Sequence, residues 1–127
     1  MTGYVLDASA LLAALFEEPG AELVEATIND ACMSAVNLAE VTSRLVDRDT
    51  PEPVLAAILA SIEVAVCQFD RAQAERAGRL RHQTRAQGLS LGDRACLALA
   101  ADLNRIALTA DAAWAKLEVD VEIELIR

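Results

Sequence analysis

Four acidic residues stand where carboxylates can act together: Asp7, Glu40, Asp93 and Asp111. Asp7 follows the apolar pair Val5 and Leu6, and Asp111 lies two residues beyond the apolar run 106–109. Glu40 falls one to two turns into a helical pattern that begins after residue 34, and Asp93 opens the Ala- and Leu-rich stretch leading to residue 106. Carboxylates a few ångströms apart repel, and one or more of their pKa values rises unless a cation intervenes. The natural compensation for an all-oxygen set is a hard divalent ion, Mg²⁺ or Mn²⁺, that retains waters. Such an ion can deprotonate water and stabilise charge on a phosphoryl group, so the chemistry best supported is phosphodiester hydrolysis. Taken singly, each acid has a plainer reading. Asp7 and Asp111 can cap helices, Glu40 can be a solvated helical residue beside Asn37, Arg44 and Asp47, and Asp93 can close a capping box that starts at Ser90. Capping and metal binding are compatible, and it is the joint placement that favours a site.

That placement depends on the elements. Short apolar strands are expected at Val5-Leu6, 31–34, 63–69, 106–109 and 121–126. Helices are expected at 8–16, 19–28, 35–48, 51–61, 70–87, 90–104 and 111–117, with Pro19, Pro51 and Pro53 in first turns and Gly88 closing the Arg-bearing helix. The helix after Ser90 is apolar nearly all round, which marks it as buried. Strands alternating with helices imply βαβ units and a mainly parallel sheet covered on both faces, in an α/β domain. Every strand of a parallel sheet ends on one edge, and ligands bind there. Asp7, Glu40 and Asp111 reach that edge by connectivity. Asp93 reaches it because a crossover helix runs antiparallel to the strand it feeds.

Composition bounds the rest. A chain of 127 residues, 54% hydrophobic, is expected to be one domain spanning 1–127 with its own core. The net charge is −9, and ten of the 11 basic residues are Arg. That balance opposes loose binding to nucleic acid or to an anionic membrane. No apolar run approaches the roughly 20 residues of a membrane span, and Asp7 interrupts any signal-like start. Cys32, Cys67 and Cys96 are an odd set among apolar neighbours and read as buried reduced thiols. These features together lead to the expectation of a cytoplasmic protein.

The segments Tyr4-Val5-Leu6-Asp7-Ala8-Ser9, Ser34-Ala35-Val36-Asn37-Leu38-Ala39-Glu40-Val41, Leu89-Ser90-Leu91-Gly92-Asp93-Arg94-Ala95-Cys96-Leu97-Ala98 and Leu108-Thr109-Ala110-Asp111-Ala112-Ala113-Trp114 carry a resemblance. In order and spacing they resemble the PIN-domain ribonucleases, especially the VapC toxins of bacterial type II toxin–antitoxin pairs. One departure is Ala112, where the family often has Arg. The resemblance implies a three-layer α/β/α PIN-like fold with a central five-stranded sheet. It implies a Mg²⁺ site, with Mn²⁺ as a substitute, made by Asp7, Glu40, Asp93 and Asp111. Asp7 and Asp93 would be direct ligands, while Glu40 and Asp111 would bind directly, bind through water, or position the attacking water. Ser9 and Thr109 would hydrogen-bond neighbouring carboxylates or a metal-bound water. The implied reaction cleaves RNA to 5′-phosphate and 3′-hydroxyl ends. The implied partners are a VapB-like antitoxin and a second copy of the chain, in a homodimer and a toxin–antitoxin hetero-oligomer.

Other residues compete for attention. Arg44 and Arg94 border the acids in sequence and are expected to guide phosphate toward the metal, whereas most other Arg residues read as solvated salt-bridge partners. His82 reads as a surface residue, and Trp114 as packing rather than base stacking. No Ser or Cys nucleophile, Cys/His metal spacing or Gly-rich phosphate loop is present. A receiver domain would need paired acids after the first strand, and a haloacid-dehalogenase-type phosphatase would need Asp where Ser9 stands. The remaining alternative is a PIN-like non-catalytic binding protein acting through partner association.

Overall fold

Residues 3–127 are described by the structure, a computed structural model. The first strand, β1 (Tyr4–Leu6), stops at Asp7, whose extended backbone turns the chain into α1 (Ala8–Leu15). There follow α2 (Ala21–Thr27), β2 (Ala31–Ser34), α3 (Ala35–Asp47), α4 (Glu52–Ser61) and β3 (Ala65–Cys67). The second half comprises α5 (Arg71–Arg79), α6 (Arg81–Thr84), α7 (Leu91–Leu103), β4 (Ile106–Thr109) and β5 (Ile123–Leu125). Short 3₁₀ turns occupy Ile28–Asp30, Arg85–Gln87 and Ala112–Lys116.

All strand pairings are parallel, in the order β3-β2-β1-β4-β5. The chain moves outward from β1 to β2 and β3, then returns to the other side of β1 for β4 and β5. The switch point therefore lies between β1 and β4, where a parallel α/β sheet opens a crevice at its carboxyl edge. Side chains alternate across the sheet. Leu6, Met33 and Leu108 enter one core with residues of α1, α2, α3 and α4. Val5, Cys32 and Ala107 enter the other with α7 and Trp114. The result is three layers, helix on sheet on helix. Each Leu buried to this degree stabilises the fold by about 2 kcal/mol. The small side chains of α7 at Ala95, Ala98 and Ala100 are fully or almost fully buried, so this helix lies close on the sheet.

Several boundaries differ from expectation. The segment 70–87 is not one helix: α5 ends at Arg79, and α6 and a 3₁₀ turn follow before Gly88 closes the segment in the left-handed region, at φ 67°. Gly78 lies just before the break, and glycine weakens a helix interior. The third strand is three residues rather than seven, because β3 is an edge strand laddered only on the three residues Cys32, Met33 and Ser34 of β2. The second helix starts after Pro19, not with it. Gly20 takes φ 97°, and a Cβ there would meet Ile126, which closes the chain against this turn. No described helix is long and apolar enough to cross a membrane.

Candidate active site

The carboxyl edge of the sheet carries a pocket of about 350 Å³ lined by Asp7, Glu40, Asp93 and Asp111, with Arg44, Arg48 and Arg127 at its rim. Each acid arrives through a different local device. Asp7 is the N-cap of α1: its Oδ1 accepts from Ala10 N–H at 2.8 Å. Its position at the end of the central strand buries it to 3% exposure. Ser9 Oγ donates to Oδ1 at 2.7 Å and Thr109 Oγ1 donates to Oδ2 at 2.5 Å. Thr109 ends β4, so this bond ties the two strands at the switch point. The network continues outward, with Ala110 N–H donating to Ser9 Oγ at 2.9 Å and Asp111 N–H to Thr109 Oγ1 at 3.1 Å.

Asp93 is the third residue of α7 and closes the anticipated capping box: its Oδ2 accepts from Ser90 N–H at 3.0 Å, and its N–H donates to Ser90 Oγ at 3.2 Å. Asp111 caps the 3₁₀ turn through Ala113 N–H at 3.0 Å. Glu40, half-buried on α3, accepts from Asn37 Nδ2 at 2.9 Å. The same amide donates to the Gly92 carbonyl at 3.0 Å, which locks α3 to α7. A Cβ on Gly92 would land on the Glu40 carboxylate, so glycine is what lets the two helices bring Glu40 and Asp93 to one pocket.

Electrostatics follow from this burial. Loss of solvent pushes the Asp7 carboxyl up to about 6, against the lowering effect of its bonds to Thr109, Ser9 and Ala10, with the Asp93 charge adding to the rise. Burial also raises Glu40; the Asn37 bond opposes this, Asp93 adds to it and Arg44 opposes it. The Asp93 charge thus disfavours ionisation of both Asp7 and Glu40, and carboxylates so placed are an oxygen-donor set suited to a hard cation. Among the described residues no three Asp, Glu, His or Cys side chains are grouped so as to hold a metal ion by themselves. Each of the four carboxylates is instead tied to a cap or a neighbouring side chain. The donor chemistry fits an ion that keeps part of its water shell, such as Mg²⁺, rather than one fully enclosed by protein.

The expected cationic guides divide. Arg44, one turn beyond Glu40, lines the pocket. Arg94 does not, which corrects the expectation. One step from Asp93 on a helix is about 100° of rotation, which turns Arg94 into the protein, where it is buried and donates to the Ala77 carbonyl of α5 at 3.0 Å. The lining residues Phe16, Glu18, Arg48 and Arg127 escaped the sequence reading in this role, as did Asn37, which holds Glu40 without lining the pocket. Asn37 is fully buried rather than on a polar face; its i,i+3 spacing from Glu40 was the available signal. Arg48 is the next i+4 step after Arg44. Arg127 and Phe16 come from distant segments and gave no local signal. Trp114 is fully buried in the second core, and His82 is exposed. Cys32 and Cys96 are buried and Cys67 partly so, all as free thiols.

Residues 4–119 match the family model described as the PIN domain. The chain belongs to the PIN domain family. PIN domains are generally nucleases. Solved structures of similar fold include a chain of the DNA-bound VapBC from Salmonella typhimurium, at TM-score 0.78 and 18% identity over 100% of both chains. A toxin–antitoxin complex from Klebsiella pneumoniae matches at TM-score 0.76 and 17% identity over 98% of each chain. VapBC-5 from Mycobacterium tuberculosis, a member of the VapBC family of toxin–antitoxin systems, matches at TM-score 0.63 and 25% identity, covering 100% of this chain and 99% of the other. Among curated proteins no match is found. In this PIN domain the four acids named from sequence line one pocket, with Ser9 and Thr109 bonded to the most buried of them.

Proposed function

We propose that this PIN domain is a VapC-type toxin: a divalent-metal-dependent endoribonuclease, neutralised by a VapB-like antitoxin. The observation that carries the reading is the pocket itself. Four carboxylates from four separate segments converge at the switch point of a parallel sheet, in a family of nucleases. Structural neighbours drawn from toxin–antitoxin complexes support the assignment of the partner.

Asp7 and Asp93 would hold Mg²⁺, or Mn²⁺ in its place, directly, and Glu40 and Asp111 would complete the set directly or through water. The bound ion supplies a water of lowered pKa and neutralises charge on the phosphoryl oxygens. The chain's own groups do the positioning. Ser9 and Thr109 fix the Asp7 rotamer, and Asn37 fixes Glu40. Glu40 or Asp111 orients the attacking water in line with the scissile phosphate, and Arg44 at the rim draws the phosphate in. Attack expels the 3′ oxygen of the preceding nucleotide, leaving 5′-phosphate and 3′-hydroxyl ends. At neutral pH Asp7, raised to about 6, is mostly ionised, and a cation beside it would hold it so. The chain works in the cytoplasm as a homodimer that the antitoxin joins in a hetero-oligomer.

Tightly controlled expression of the chain and of Asp93→Asn tests this. Growth arrest and Mg²⁺- or Mn²⁺-dependent RNA cleavage are expected from the first and not from the second. Equal arrest and equal cleavage by both would reject the catalytic assignment. Absence of any metal-dependent cleavage would point to a non-catalytic binding protein.

A further inference from the structure

Beyond the acids, the same pocket has a second end with different chemistry. Glu40, Arg44 and Arg48 follow one another at i+4 on α3, and all three line the pocket. Eight residues of helix separate Glu40 from Arg48, an axial rise of about 12 Å. At that distance Arg48 sits over the ring of Phe16, with its guanidinium carbon 3.8 Å from the ring centroid. Both partners sit at the C-terminal ends of helices and are fixed by backbone bonds, Phe16 N–H to the Leu12 carbonyl at 2.9 Å and Arg48 N–H to the Arg44 carbonyl at 3.2 Å.

The charge environment makes this arrangement informative. The chain has 20 acidic residues against 11 basic ones. Yet among the described residues the ion pairs within 4.0 Å use Arg71, Arg79 and Arg127, and neither Arg44 nor Arg48. Arg127, on the facing wall, is already committed to the Pro19 carbonyl at 3.0 Å and to Glu18 at 3.7 Å. Arg48 is exposed and sits over a ring rather than in an ion pair, and among the described residues Phe16 is the one aromatic ring it covers. A planar guanidinium backed by an aromatic ring is the surface on which an unstacked nucleobase stacks.

We propose that Arg48 on Phe16 is a nucleobase-stacking subsite for a nucleotide neighbouring the scissile bond, with Arg44 between them on the intervening phosphate. This rests on the ribonuclease reading and requires an unstacked base at that position of the substrate. A base inside a duplex has both faces covered and none to offer. A pocket of about 350 Å³, near the lower end of ligand clefts at roughly 300–1,000 Å³, takes one nucleotide rather than a helix.

The test uses the full chain and single-stranded oligoribonucleotides carrying 2-aminopurine at successive positions. Arg48→Ala and Arg48→Lys are expected to raise KM by about tenfold or more, with kcat within twofold of wild type. Phe16→Leu, which keeps apolar bulk, raises KM in the same direction. Fluorescence quenching of 2-aminopurine, measured in EDTA at low ionic strength, is expected with wild type at one position and lost in Arg48→Ala. Arg71→Ala, on an exposed face elsewhere, changes neither quantity. Wild-type KM and quenching in Arg48→Ala would overturn the subsite, and so would rescue by Arg48→Lys, since charge alone would then suffice. If wild type binds and quenches the probe but cuts nothing with Mg²⁺ or Mn²⁺, the ribonuclease reading fails and the subsite stands.

Discussion

Asp7 and Asp70 are the same local device in two settings. Each follows a parallel strand, adopts extended backbone and caps the next helix, Asp7 through Ala10 N–H at 2.8 Å and Asp70 through Gln73 N–H at 2.9 Å. Asp7 ends the central strand, with β2 and β4 on either side. It is therefore buried, joined by Ser9 and Thr109, and raised to about 6. Asp70 follows the edge strand β3 and is exposed. Capping is a property of local sequence. Membership of a charged site is a property of where the topology puts the cap.

The largest way to break this comparison is to neutralise each acid in turn. Asp7→Asn keeps a good cap and should lower RNA cleavage by at least about 10³-fold, roughly 4 kcal/mol of transition-state stabilisation. Asp70→Asn should stay within twofold. Comparable losses in both variants would show that burial at the switch point is irrelevant.

Stability separates the two residues next, with the opposite sign. A carboxyl whose folded pKa is raised binds its proton more tightly in the folded state than in the unfolded chain. In metal-free protein, stability then falls as pH climbs from the unfolded value of 3.8 through about 6, and is flat above. The full loss is about 3 kcal/mol, at ~1.4 kcal/mol per unit. Asp7→Asn should therefore match wild type near pH 3.5 and be more stable than it at pH 7.5, as read by urea melts in EDTA. A variant less stable than wild type at pH 7.5 would contradict a destabilising buried charge.

Gly92 gives a smaller and sharper effect. Its missing Cβ faces the free end of the Glu40 side chain, which can swing away. Gly92→Ala should cost less than about 1 kcal/mol, since alanine also favours the helix, yet lower cleavage about tenfold by displacing Glu40. A large drop in Tm would instead mean that the two helices cannot adjust.

Much of this geometry was legible in the sequence because it is local or topological. Strand ends at Leu6 and Thr109, the capping box at Ser90 and Asp93, and the βαβ alternation together place four acids on one edge. The directions of Asn37 and Arg94 were less legible. Both lie on helices packed on more than one side, so polarity does not name the solvent face. Phe16 under Arg48, and Arg127 on Pro19, join segments about 30 and 108 residues apart, which no periodicity reports. The short β3 was set by its pairing with β2, not by propensity, and the break falls where a single Gly78 weakens an otherwise helical run.

Calorimetric titration of Mn²⁺ into wild type, Asp70→Asn and Asp7→Asn tests the central claim directly, that the buried cap is part of a cation site. Saturable binding is predicted for the first two and not for the third. At pH 6 a buffer-dependent heat is also predicted, because Asp7 must release its proton to bind metal. Equal binding by Asp7→Asn, or no binding by wild type, would contradict the account.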